Sequence, residues 1–245
     1  MAKPVSIFIM DVTNSTKNWN EIVKYLEEVE TIIKGWTRGF PSVKVKHRLG
    51  DEIVCMMDHF SSAYIVAFYI SQIWKYKKQP PYFGLTFGMV EDDFSSIDID
   101  KWNHPIMRQA RLANETIKQA TNRRSMFLMP ELAHQESTSI EMINLLLEYQ
   151  HKMMSEQTDI QRSISRLYSI LEEQKAIASI VKKSPSTISS HYKKGNCEII
   201  LKTKRTIQHT LNQLEQDSSG NVPHHITKEL TTTIKKQLQK NIELI

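Results

Sequence analysis

Three acids stand where carboxylates can do chemistry. Asp11 ends the apolar run Val5 to Asp11 (VSIFIMD), and Asp51 and Glu52 follow Gly50 in the run RLGDE. Two carboxylates held at one point attract a hard divalent cation, Mg²⁺ or Mn²⁺, and through it the phosphates of a nucleotide. A second constellation lies far down the chain, where Lys183, Ser184, Ser186, Thr187, Ser189, Ser190, His191, Lys193 and Lys194 crowd together. Short hydroxyl and basic side chains at that density suit contacts to base edges and phosphates in a DNA groove. Each constellation has a plainer alternative. Asp and Gly-Asp are favoured in tight turns, and a basic run can be a solvated helix face.

The elements around the acids favour convergence. Val5 to Asp11 has the continuous apolar character of a buried strand. Asn18 to Trp36 carries helical spacing through Ile22, Tyr25, Leu26, Val29, Ile32 and Ile33. Val43 to Arg48 and Ile53 to Met57 flank a polar turn and predict a β-hairpin. Ser61 to Tyr76 returns to helix, Pro80-Pro81 ends it, and Tyr82 to Val90 (YFGLTFGMV) predicts another strand. A helix from Pro105 to about Ala120 and a short strand, Ser125 to Met129, complete the unit. The order β-α-β-β-α-β, then α-β, is that of a ferredoxin-like split βαβ unit with an added helix and strand. In it the end of the first strand and the hairpin turn meet at one sheet edge, although forty residues of chain separate them.

The remainder is predicted to be all-α. Ile140 to Leu147 and Ile160 to Leu171 have helical apolar spacing, and AHQESTS at 133–139 is a polar boundary. In Gln174 to Lys193 (QKAIASIVKKSPSTISSHYK), Ala178 is the small residue a crossing helix requires. Ser184 is a good N-cap, Pro185 suits the first helical position, and Ile188 is an apolar anchor. These features predict a helix-turn-helix, with Lys182 where a turn Gly is usual. Residues 174–210 carry eight Lys and Arg against one acid, Glu198, whereas residues 1–135 are close to neutral. A concentrated basic segment suits a polyanion. The last helix sets Ile226, Leu230, Ile234, Leu238 and Ile242 in steps of four, a stripe that must pack on the body or on a second copy. The expected divisions are 1–132, 139–212 and 223–245.

IFIMDVTNST resembles the first strand of class III nucleotide cyclases, and RLGDEIVCMM resembles their metal-binding hairpin and that of GGDEF-type diguanylate cyclases. FGLTFGMV and PIMRQARLAN resemble a later cyclase strand and its arginine-bearing helix. The combination of these motifs with the helix-turn-helix is most similar to SatD-like bacterial proteins. The resemblance implies a cyclase-like palm with metal contacts from Asp11 and Asp51 and an arginine, Arg111, that steadies phosphates. Asn14 and Ser15 complete the expected nucleotide contacts. Two positions depart from the cyclase pattern: Met107 stands where an Asn is usual, and His47 near where a base-reading Lys is usual.

Bulk properties narrow the classes. With 40% hydrophobic and 24% charged residues among 245, the chain has the profile of a folded protein. No run approaches a membrane span, and the first residues lack the pattern of a secretory signal. Cys55 and Cys197 alone provide neither a disulfide framework nor a thiol-built zinc cluster. There is no Walker loop and no G-x-S-x-G element. The expectation is a cytoplasmic, homodimeric DNA-binding regulator that binds a nucleotide with Mg²⁺ or Mn²⁺ or uses its palm to dimerise. The competing expectations are a metal-dependent nucleotide cyclase and an interaction protein whose basic helix meets another protein.

Overall fold

The structure, a computed structural model, describes residues 2–14, 18–48, 50–121, 123–130, 137–220 and 224–242. Among the described residues there are five strands: β1 (Lys3–Val12), β2 (Lys44–His47), β3 (Ile53–Asp58), β4 (Pro81–Val90) and β5 (Met126–Leu128). They alternate with α1 (Trp19–Trp36), α2 (Ser62–Ile73) and α3 (Pro105–Gln119). Six further helices follow: α4 (Thr138–Ser155), α5 (Asp159–Leu171), α6 (Gln174–Val181), α7 (Pro185–Lys194), α8 (Cys197–Ser219) and α9 (His224–Lys240). The chain is therefore α+β, with all strands among the described residues lying between Lys3 and Leu128. The expected polar boundary falls largely on residues 131–136, outside the described residues.

The sheet runs in the order β2-β3-β1-β4-β5. β1 pairs antiparallel with both β3 and β4, β2 pairs antiparallel with β3, and β5 lies parallel to β4. The central position of β1 explains its unbroken apolar sequence, because both its faces are covered. Phe8, Met10 and Val12 enter a large core shared with α1 and α2, whereas Val5, Ile7 and Ile9 enter a smaller one beneath α3. That second core also takes Phe94, Ile97 and Ile99 from the loop after β4. α3 lies so close to β4 that a Cβ on Gly84 would stand 2.3 Å from the backbone N of Asn114. Only glycine allows that approach.

Ten of the twelve residues of α2 are buried, which marks a helix enclosed on all sides rather than laid on a surface. The sheet covers one side and the C-terminal helices cover the other. Polar ties lock the layers together. Tyr64 donates to Gln150 Oε1 (3.2 Å) and Tyr69 to the Ser169 carbonyl (3.3 Å), while Gln150 Nε2 donates to the Ile200 carbonyl (3.1 Å). At the β3–α2 turn, the fully buried Glu215 of α8 meets His59 Nδ1 at 2.6 Å and accepts from the Phe60 backbone N at 2.7 Å.

The stripe on α9 covers the body of the same chain. Leu230, Ile234 and Leu238 join the large core, Ile242 packs on a satellite cluster, and Ile226 remains 39% exposed. Cys55 and Cys197 are both buried free thiols. Among the described residues, no helix is long and apolar enough to cross a membrane.

Candidate functional site

Asp11 lies at the end of β1, paired in register with Tyr82 of β4, and Asp51 lies in the β2–β3 turn. The two acids converge. The Asp11 carboxyl is pushed up to about 7, first by burial, then by the neighbouring charge of Asp51 and a hydrogen bond to it. The Val12 backbone N donates to Asp11 Oδ1 at 3.0 Å and opposes that rise. The Tyr82 phenol is also raised, by burial and then by the charge of Asp11 and its hydrogen bond to that carboxylate. Lys118 and Arg123 contribute positive potential nearby. Two carboxylates near enough to compete for one proton form a hard-oxygen donor pair, the kind that holds Mg²⁺ or Mn²⁺ together with substrate phosphates. Among the described residues, no group of three or more His, Cys, Asp or Glu gathers as a complete metal cage.

The expected nucleotide contacts are not all brought to this pair. Glu52 pairs with Arg48 at 3.0 Å and with Arg111 at 3.5 Å, which places the half-exposed Arg111 guanidinium beside the turn. Asn14 lines a separate shallow cavity of about 480 Å³ with Lys75, Lys77 and Lys78, and its carbonyl accepts from Gln79 Nε2 at 2.8 Å. Ser15 lies outside the described residues. Met107 is buried in the apolar core beneath α3, and His47 Nε2 is 3.0 Å from the Gly50 carbonyl, closing the hairpin turn. Sequence reasoning missed Tyr82. The signal that places it opposite Asp11 is the β1–β4 register, which has no local trace in the sequence.

The second site is built on α5, α6 and α7. Ile164, Leu167, Ile177, Ala178 and Ile188 form a small core of their own, in which Ala178 of α6 and Ile188 of α7 are both buried. α6 ends at Lys182, which takes the left-handed conformation (φ 53°). The Lys182 N–H donates to the Ser179 carbonyl and the Lys183 N–H to the Ala178 carbonyl, satisfying the last carbonyls of the helix. Ser184 then caps α7, its Oγ accepting from the Thr187 backbone N at 3.2 Å, with Pro185 at the first helical position. Gln174 Nε2 bridges to the Pro185 carbonyl at 2.7 Å and ties the start of α6 to the start of α7.

Around this frame Lys182, Lys183, Ser184, Ser186, Ser190, Lys193 and Lys194 are exposed, and Thr187, Ser189 and His191 are half-buried. The Nδ1 of His191 is buried without a hydrogen-bond partner among the described residues, so one edge of that ring turns inward. Lys204 corrects the charge count of the sequence: it is only 7% exposed and does not belong to the basic surface. α8 runs directly away from α7 through Gly195, where a Cβ would meet Gln161 Cβ of α5 at 2.9 Å. No family model, curated protein or solved structure matches the chain.

Proposed function

We propose that the chain is a DNA-binding regulator in which α6 and α7 form a helix-turn-helix and α7 enters the major groove. One observation carries this reading. The first turn of α7 presents an exposed, hydroxyl-rich face, held from behind by buried Ile188 and flanked on both sides by exposed lysines. Such a surface reads bases with its short side chains while Lys182, Lys183, Lys193 and Lys194 hold the phosphates. The strand order β2-β3-β1-β4 supports a ferredoxin-like palm of the cyclase type, and the combination keeps the SatD-like resemblance as part of the proposal. The protein acts in the cytoplasm as a homodimer, since a single helix-turn-helix gains useful affinity by pairing two half-sites.

The test is duplex DNA binding by fluorescence anisotropy across a salt series. Binding that weakens steeply with salt is expected. The double reversal Lys193→Glu, Lys194→Glu should flatten the slope of log K against log salt by about 2, one for each lost phosphate contact. No binding to any duplex at low salt overturns the reading and leaves the basic helix to a protein partner.

The Asp11–Asp51 pair favours a second reading, a metal-dependent nucleotidyl-transfer enzyme such as a cyclase. A divalent ion bound there would polarise phosphate and help ionise an attacking hydroxyl. The burial of Met107 weighs against catalysis, because a thioether held in the apolar core cannot orient substrate by hydrogen bonding. Incubation with ATP or GTP and Mn²⁺ separates the readings: cyclic product that vanishes in Asp51→Ala would establish the enzyme.

A further inference from the structure

The helical half holds a cavity that neither the carboxylate pair nor the exposed face of α7 uses. It encloses about 550 Å³ between α2, α5, α7, α8 and α9. One wall is aromatic and includes Tyr69, Tyr168 and Tyr192; the other is cationic and includes Lys204, Arg205 and Lys235. The Tyr168 and Tyr192 rings stand 4.3 Å apart with their planes at 48°. A volume of this size lies within the span of about 300–1,000 Å³ typical of small-molecule sites and far exceeds what a bare inorganic ion fills.

The charges are the unusual feature. The Lys204 ammonium, on a buried residue, donates to the neutral Oε1 of Gln208 at 2.8 Å and sits 5.6 Å from the centroid of the Tyr69 ring. Burial, followed by the positive charges of Lys235 and Arg205, holds its pKa down to about 7. Glu172 pairs with Lys235 and is the one carboxylate among the described residues that line the cavity. It sits in the left-handed conformation that ends α5. Cations gathered round a cavity with a single acid repel one another, and burial strengthens the repulsion. An anion seated among them reverses the sign of each of those interactions and takes charge-assisted hydrogen bonds from all three.

We propose that this cavity binds a phosphate ester carrying a flat ring, of the size of a nucleoside monophosphate. Lys204, Arg205 and Lys235 hold the phosphate, and the ring lies against the wall that Tyr168 and Tyr192 form together. A doubly charged phosphate matches the excess of cations better than a single carboxylate does, and the tyrosine wall gives the ring a surface to stack on. The assignment is independent of DNA binding and of the Asp11–Asp51 pair.

Isothermal titration of the full chain with adenosine monophosphate, inorganic phosphate and adenosine tests it. A chelator throughout removes any metal-dependent binding at the carboxylates. Saturable binding of the monophosphate is expected, with phosphate alone and adenosine alone each at least tenfold weaker. Lys204→Met and, separately, Arg205→Ala should weaken the monophosphate at least tenfold, while Asp51→Ala leaves it unchanged. Arg205 is exposed, so its replacement tests the site even if the buried Lys204 variant folds poorly. Absence of saturable binding, binding that persists in both cavity variants, or phosphate binding as tight as the monophosphate would overturn the proposal.

Discussion

Lys182 bears a cost that its position imposes. A side chain in the left-handed region sets Cβ against the neighbouring carbonyl, which glycine avoids. Lys182→Gly should therefore raise stability by up to about 1 kcal/mol, measured by urea unfolding, while removing one cation from the margin of α7. At the next turn residue the opposite holds: Ser184→Ala removes the oxygen that accepts from Thr187 N and should cost about 1 kcal/mol. Lys204 couples stability to pH. Its proton is bound less tightly in the folded chain, where the pKa is about 7, than in the unfolded chain, where it is near 10.5. The unfolded state thus holds more protons between those values, and stability should rise as pH climbs through that window. Lys204→Met should abolish that share of the rise, seen as a flatter plot of unfolding free energy against pH.

At the scale of elements, legibility followed the kind of signal each segment carries. α1, the β2–β3 hairpin, α2 and β4 are announced by periodicity and by the Pro80-Pro81 break, and their observed bounds lie close to those spacing predicts. The turn into α7 is legible because capping is local: Ser184, Pro185 and Ile188 act within a few residues of one another. α8 is harder to see, since its buried face mixes Ile200, Ile207 and Leu211 with Thr203, Lys204, Asn212 and Glu215, polar residues that blur the apolar stripe. The convergence of Asp11 and Asp51 follows from the order of elements, whereas Tyr82 depends on a register between strands seventy residues apart. Gly84 shows the same limit. Its type suggests a close approach but not what approaches. Gly84→Ala should destabilise by about 1–3 kcal/mol by overpacking and should loosen α3, on which Arg111 is carried; the shift of the chemical denaturation midpoint reports it.

Across the whole molecule, the sheet and the C-terminal helices share one apolar core, and polar contacts at the β3–α2 turn join them. Asn212 of α8 extends this seam, accepting from Ser61 Oγ at 2.6 Å and donating to Thr227 Oγ1 of α9 at 3.2 Å. Glu215→Ala leaves His59 and the Phe60 N–H without their acceptor and should cost about 3 kcal/mol, with both halves melting together in one transition. Separate transitions in the variant would show that this seam, and not the shared core, couples the two halves.

The satellite cluster behind α7 is small, whereas α2 is buried over nearly its whole length. In deuterated solvent the amide protons of α2 should exchange only through global opening, whereas those of α6 and α7 are replaced through local excursions long before. If α7 enters a duplex as proposed, a surface that breathes in this way would settle onto an irregular groove without disturbing the sheet behind it.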